Sequence, residues 1–65
     1  MSYETNIALI LERAIEVIGN EGAAAEWIEK RSATLGATPR QLAVTDEGRD
    51  RVLLHLNGIS RHRIA

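Results

Sequence analysis

A chain of 65 residues forms one domain, and a domain this small buries only about 60% of its unfolded surface. The absence of cysteine excludes disulfides and thiolate metal sites, and two histidines alone are a poor zinc-binding set. Hydrophobic residues make up 45% of the chain and charged residues 26%, as in a folded protein rather than a disordered one. We therefore expect residues 1–65 to form a single domain that gains stability by associating with another chain, so that a homo-oligomer is expected.

The net charge of −1 conceals an uneven distribution along the chain. Residues 1–30 carry six glutamates against one arginine and one lysine, a net charge of −4. Residues 31–65 carry six arginines against three carboxylates, a net charge of +3. This division indicates either an oriented interface or an ordinary solvated surface. The N-terminus lacks the basic stretch of a secretory signal and no apolar run could span a bilayer, so we expect a cytoplasmic protein without membrane contact.

The first element is an amphipathic helix. Its buried face recurs at spacings of three and four and comprises Ile7, Ile10, Leu11, Ala14, Ile15 and Ile18. Thr5 or Asn6 can cap its start, and Gly19 fits its end. Leu9 points about 160° away from the middle of that face, which makes it a candidate surface contact, although a single exposed leucine needs no function.

A second helix follows directly. Asn20 is expected as its N-cap, residues 23–28 form its body, and residues 30–32 end it. Trp27 shares one face with Ala24 and Ile28, so we expect the indole to anchor the core against the first helix rather than to stack on a ligand. Residues 33–37 then form a connection.

Two capping patterns predict the remaining helices. A short helix is predicted over residues 39–43, because Thr38 can serve as N-cap, Pro39 takes the first helical position and Gln41 closes a capping box. Thr45 caps a longer helix that we expect to run to about Asn57, with Gly58 as its C-terminal stop.

On the last helix the inward face comprises Val52, Leu56 and Ile59, whereas Leu54 points the other way. Gly48 in the first turn destabilises the helix by up to about 1 kcal/mol relative to alanine. Close approach of a neighbouring backbone would explain why a glycine stands there. The sequence thus predicts an all-α fold, a small bundle of three principal helices and one short helix.

Catalysis is not expected. Ser32 and Ser60 could be nucleophiles and His55 and His62 bases, but no motif brings any of them together. No glycine-rich phosphate loop is present either. The stronger competitor is nucleic-acid binding, because two short helices joined by a turn and surrounded by arginines could imitate a helix-turn-helix. An acidic chain suits that role only if its basic half presents one face.

The order of turn, short capped helix, recapped longer helix and basic end resembles the toxin-binding domain of the Xre/MbcA/ParS antitoxin family. The residues that carry the resemblance are Leu35-Gly36, Thr38-Pro39, Leu42, Thr45, Glu47-Gly48, Val52, Leu56, Ile59 and a chain that stops at Ala65. It extends backward through residues 14–19 and 24–28, so it covers roughly residues 14–65. This chain departs from the family pattern at positions 53–55, where the family more often has two polar residues followed by an apolar one.

The resemblance implies inhibition of a partner protein rather than catalysis. The family typically neutralises toxins of the RES fold, which consume NAD, and needs no cofactor itself. The domain would dock by its helices while its C-terminal segment reaches toward the toxin's active site. The implied partner-binding residues are Leu54, Arg61, His62, Arg63, Ile64 and Ala65. Ile64 would fill an apolar pocket, its two neighbouring arginines would pair with the rim, and the Ala65 carboxylate would occupy a phosphate site.

Two departures from the family limit what the resemblance implies. His62 stands where a glycine is common, which narrows the backbone conformations open to the C-terminal segment. Antitoxins of the family commonly carry a DNA-binding module ahead of this domain. Because the chain begins at Met1, we expect that module to be absent, and so we do not expect the chain to repress its own operon. The alternatives are a small nucleic-acid-binding domain and a homo-oligomeric adaptor without inhibitory activity. Self-association is expected through Leu9 and Leu54.

Overall fold

Four helices follow one another in the computed structural model, which describes the backbone of residues 2–64 and the side chains of residues 2–60. They are α1 (Tyr3–Ile18), α2 (Glu21–Trp27), α3 (Pro39–Leu42) and α4 (Asp46–Ile64). No strand occurs between residues 2 and 64, where an isolated bridge pairs Ser32 with Ala37. The predicted all-α fold of three principal helices and one short helix is confirmed.

Helix α1 begins earlier than the sequence suggested. Ser2, with an extended backbone, is the N-cap, and its hydroxyl accepts a hydrogen bond from the Thr5 amide at 3.2 Å. Thr5 and Asn6 therefore lie inside the helix, and the prediction that one of them caps it is wrong. Gly19 ends the helix as expected: its φ of 83° is left-handed, and its amide donates to the Ile15 carbonyl at 2.7 Å.

The caps of the other helices are confirmed. The Asn20 side chain accepts from the Ala23 amide at 2.8 Å at the start of α2. Thr38 and Gln41 form the predicted reciprocal capping box of α3, with both hydrogen bonds at 3.0 Å. The Thr45 hydroxyl accepts from the Gly48 amide at 2.9 Å and caps α4. Helix α2 ends at Trp27, a few residues before the predicted end, because the amides of Glu29 and Lys30 bond three residues back in turns.

Helix α4 does not stop at Gly58, and this prediction is wrong. The helix continues to Ile64, and Gly58 is not among the glycines with positive φ in the described range, which are Gly19 and Gly36. A glycine inside a helix costs only about 1 kcal/mol relative to alanine. Burial of Ile59, which packs against the core, offsets that cost and favours continuation of the helix.

The core lies where α1, α2 and α4 meet. Its buried residues are Ile10, Ala14, Val17, Ala24, Ile28, Leu35, Ala43, Val52 and Leu56. The most buried line of α1 differs from the predicted one, since it runs through Asn6, Ile10, Ala14 and Val17, while Ile15 and Ile18 are only partly buried. Both α2 and α4 pack against α1, so the buried arc is wide and its centre is shifted from the predicted stripe.

Helices α1 and α4 run in the same direction. Near their N-termini, Arg49 donates to the Asn6 amide oxygen at 3.0 Å, and further along, Arg13 donates to the Asn57 amide oxygen at 3.0 Å. The fully buried Asn6 also donates to the Ala43 carbonyl at 2.9 Å and to the Asp46 carboxylate at 3.2 Å. This network fixes the register of α1 against the α3–α4 turn.

The predicted close approach at Gly48 is confirmed. A Cβ atom added there would lie 2.0 Å from the Leu42 carbonyl oxygen and 2.8 Å from its carbon.

The chain exposes 4303 Å² of surface to solvent, close to the ~4100 Å² usual for a folded monomer of this mass. Within residues 2–64, none of the helices is both long enough and apolar enough to cross a bilayer.

Candidate protein-binding surface

The outward face of α4 carries the most exposed large hydrophobic side chain of the described residues. Leu54 is 73% exposed, compared with 68% for Val44 and 37% for Leu9. It lies on the side of the helix opposite the buried Val52 and Leu56, as the sequence predicted. A leucine that is held on a helix and left this exposed is available to a partner.

A shallow groove of about 240 Å³ lies beside Leu54. It is lined by Thr34, Leu35, Arg51, Leu54 and His55, so it lies between α4 and the loop after α2. Arg51 donates to the Leu35 carbonyl at 3.2 Å and ties this loop to the helix. The left-handed Gly36, with a φ of 78°, closes the loop, whose ends pair through a 3.1 Å hydrogen bond from the Ser32 amide to the Ala37 carbonyl. One wall of the groove is therefore a tethered loop.

His55, which lines this groove, belongs to an aromatic pair. The Trp27 and His55 rings lie nearly parallel, 12° apart, with their centroids separated by 6.3 Å. Trp27 is only partly buried; it packs against the core, as expected, and joins α2 to α4 in addition. This contact accounts for His55 at a position where an apolar residue was expected, because the flat face of an imidazole can stack on an indole.

A second groove, of about 310 Å³, lies on another side of α4, where the helix meets α1. Its lining residues are Leu9, Glu12, Arg13, Glu16, Leu53 and Asn57. Arg13, which donates to Asn57, also lies 3.8 Å from the Glu16 carboxylate. Glu12 forms no ion pair within the described part of the chain. The groove thus has aliphatic walls and a net acidic rim.

The arginines near α3 and α4 are engaged in internal contacts. Arg40 binds the Glu29 carboxylate and donates to the Tyr3 hydroxyl at 3.1 Å, and these two hydrogen bonds raise the pKa of its guanidinium. Arg49, with a side chain only 13% exposed, bonds Asp50 at 2.9 Å. The first turns of α4, which would enter a DNA groove in a helix-turn-helix, carry carboxylates at positions 46, 47 and 50. This face is unsuited to phosphate.

The residues considered for catalysis have structural contacts. The Ser32 hydroxyl accepts a hydrogen bond from the Leu35 amide at 3.2 Å and stabilises the loop, while His55 stacks on Trp27. Ser60 lies within α4. Among the described residues no group of three or more histidine, aspartate or glutamate side chains could hold a metal ion.

The C-terminal segment is not a tail that follows a helix stop, as the sequence suggested. Positions 61–64 form the last turn of α4. The side chains of Arg61, His62, Arg63 and Ile64, together with all of Ala65, lie outside the described residues. Of the predicted partner-binding residues, the structure therefore describes the side chain of Leu54 alone.

Comparison with known proteins gives no match. No protein-family model, no curated protein and no solved structure is significantly similar to this chain. The resemblance to the antitoxin domains therefore depends on the residues named above.

Three features of the structure were not predicted from the sequence. The stack of Trp27 on His55 and the groove at Leu9 and Leu53 join residues far apart in the chain, and no local pattern indicates either one. Asn6 was detectable: it lies four residues before Ile10 and eight before Ala14, so an asparagine on an apolar face indicates a buried amide that needs partners.

Proposed function

We propose that this chain is an antitoxin-like protein-binding domain, similar to the toxin-binding domain of Xre/MbcA/ParS antitoxins. It neutralises a RES-type, NAD-consuming toxin by docking on the toxin and obstructing its active site. It acts in the cytoplasm, requires no cofactor and catalyses no reaction.

The agreement between the resemblance and local structure supports this proposal. The residues that carry the resemblance include Thr38, Thr45 and Gly48, and in the structure they respectively cap α3, cap α4 and admit the Leu42 backbone against α4. These contacts set the angle between α3 and α4. The same order of helices and caps in the family would present the outer face of the last helix in the same way.

The observation that carries the proposal is the 73% exposure of Leu54 beside a groove that His55, stacked on Trp27, helps to line. Interfaces concentrate their binding energy in a few apolar or aromatic anchors surrounded by polar groups. Leu54 is such an anchor, and Arg51 and Thr34 provide polar groups around it. Burying a leucine contributes about 1.5–3 kcal/mol, enough to matter for affinity.

The continuation of α4 to Ile64 changes the mechanism expected from the sequence. An extended tail would insert as a flexible strand, whereas here residues 60–64 form the end of the helix that carries Leu54. Position 61 follows Leu54 by seven residues, which is about two helical turns. One rigid helix could then provide both the docking contact and the obstruction of the toxin's active site, at a smaller cost in conformational entropy.

The two alternatives are less well supported. Nucleic-acid binding requires free cations, yet Arg40, Arg49 and Arg51 are held by internal partners and the start of α4 is acidic. An adaptor without inhibitory activity would use the same exposed leucine. It differs from an antitoxin only in leaving the toxin's activity unchanged.

A pair of matched substitutions tests the proposal. Leu54→Lys should weaken inhibition of the cognate toxin's NAD consumption by at least about tenfold, which is 1.4 kcal/mol of binding free energy. Val44→Lys is the control, because Val44 is 68% exposed and lies between α3 and α4, away from the groove. Equal inhibition by the wild-type chain and both variants would reject the docking face, and no inhibition by the wild-type chain would reject the function.

A further inference from the structure

The groove between α1 and α4 combines apolar walls with an acidic rim, and the proposed function uses neither. Leu9 and Leu53 provide the walls, while Glu12 and Glu16 lie one helical turn apart on the α1 side. Glu12 forms no ion pair within the described part of the chain, and the Glu16 side chain is 60% exposed although Arg13 lies 3.8 Å away. Both carboxylates are therefore available to the cations of a partner.

The two leucines of this groove lie side by side. The 3.0 Å hydrogen bond from Arg13 to Asn57 fixes the register of α1 against α4. Leu9 and Leu53 each precede one of these residues by four positions, about one turn, and the two helices run in the same direction, so the leucines are at the same level. Glu16 lies about 10 Å further along α1 than Leu9. An occupant must therefore present an aliphatic side chain at the leucines and positive charge over the next two turns.

A helix suits this groove better than an extended peptide. An α-helix satisfies its own backbone hydrogen bonds, whereas an extended peptide would leave backbone groups without partners against the side chains of two helices. Helices that dock in grooves do so through side chains spaced three, four or seven residues apart. The groove of about 310 Å³ is large enough for the aliphatic side chains of such a helix.

The charge of the rim distinguishes between possible occupants. Nucleic acids and anionic membranes are excluded, because their phosphates would lie against Glu12 and Glu16. A second copy of the chain, paired groove against groove, would bring the glutamates of both copies together while Arg13 is already hydrogen-bonded to Asn57. A basic segment of another protein meets no such repulsion.

We infer that this groove docks a basic amphipathic helix of a second protein. Aliphatic side chains of that helix lie on Leu9 and Leu53, and its lysines or arginines bind Glu12 and Glu16. The site is separate from the proposed toxin-binding face, because Leu54 lies about 100° around α4 from Leu53. On α4 the groove is lined by Leu53 and Asn57, which precede the segment that the proposed function assigns to the toxin.

Two synthetic peptides test the inference without any toxin, so its outcome is independent of the proposed function. The first is an alanine-based helix of about 18 residues with leucines along one stripe and lysines beside them. The second has glutamates in place of the lysines. Titrated into the 15N-labelled full chain, the basic peptide should bind with a Kd of about 100 µM and shift the amide signals of residues 9–16 and 53–57. The acidic peptide should not bind, and salt should weaken binding of the basic one.

Matched variants locate the site. Leu9→Lys should weaken binding of the basic peptide at least about tenfold, whereas Leu54→Lys, which makes the same change on the other face, should leave it unchanged. Glu12→Lys combined with Glu16→Lys should reverse the preference, so that the acidic peptide binds and the basic one does not. Circular dichroism confirms that each variant is folded.

Three results would overturn the inference. The first is no binding of the basic peptide at about 1 mM. The second is equal binding of both peptides by the wild-type chain, since the rim would then select nothing. The third is a dimer of the wild-type chain that Leu9→Lys abolishes, because the groove would then be occupied by a second copy.

Discussion

Replacing Gly48 by alanine should destabilise the protein strongly, although alanine is the better helix former. The added Cβ would lie 2.0 Å from the Leu42 carbonyl oxygen, so restoring an ordinary contact of 3.4 Å requires a shift of 1.4 Å. The obstacle is backbone and cannot rotate away. A shift of Leu42 also breaks the hydrogen bond from the Thr45 amide to its carbonyl, now 3.3 Å long.

The magnitude of this effect follows from three contributions. Overpacking costs up to about 3 kcal/mol, and the lost hydrogen bond about 1 kcal/mol more. The higher helix propensity of alanine offsets about 1 kcal/mol of this destabilisation. The net loss of about 3 kcal/mol is roughly 30% or more of the ~3–10 kcal/mol expected for a domain of this size. It should lower Tm by about 12–24 °C.

Urea unfolding followed by circular dichroism measures this difference, and Gly58→Ala provides a control in the same helix. A Cβ at Gly58 meets no atom within 4 Å, so that variant should be more stable than wild type by about 0.5–1 kcal/mol. If Gly48→Ala were as stable as wild type, the close packing of α3 on α4 would be refuted.

Three further predictions concern stability and helix content. Ile10→Ala should lower the free energy of unfolding by about 2–5 kcal/mol because Ile10 is fully buried, and Ile15→Ala should lower it less because Ile15 is only partly buried. Chemical denaturation measures both losses, and the reverse order would contradict the core assignment. Asn6→Ala should cost about 1–3 kcal/mol, since it leaves the buried Ala43 carbonyl without its donor; an unchanged urea midpoint would exclude a structural role for the network. Deleting residues 60–65 should lower the helical signal, because five of them belong to α4, whereas an unchanged signal would place the helix end near Gly58.

The fold was predictable because local chemistry determines most of it. Asn20, Thr38 and Thr45 each cap a helix through a side-chain oxygen three residues from its partner amide, so a short stretch of sequence contains the whole signal. The end of α4 was not predictable in this way. Gly58 resembles a stop, but the packing of Ile59 against the core determines that the helix continues, and this contact is tertiary.

The candidate site was predictable only in part. Helical spacing alone places Leu54 on the outer face of α4, and the structure confirms it. The surroundings of Leu54 could not be predicted, because the loop at Leu35 lines its groove, and Trp27 stacks on the adjacent His55, only through folding of distant segments. The shifted core line of α1 has the same origin: two helices pack on it, and periodicity does not indicate their directions.

The central claim is that this chain inhibits a RES-type toxin, and its most direct test is an NAD-consumption assay. If a RES-fold protein is encoded beside this chain's gene, that protein would be purified and its NAD consumption followed as the chain is added. We predict inhibition that is complete near one equivalent and is weakened at least about tenfold by Leu54→Lys but not by Val44→Lys. Undiminished NAD consumption at a large excess of the chain, or the absence of any RES-type reading frame beside the gene, would contradict the account.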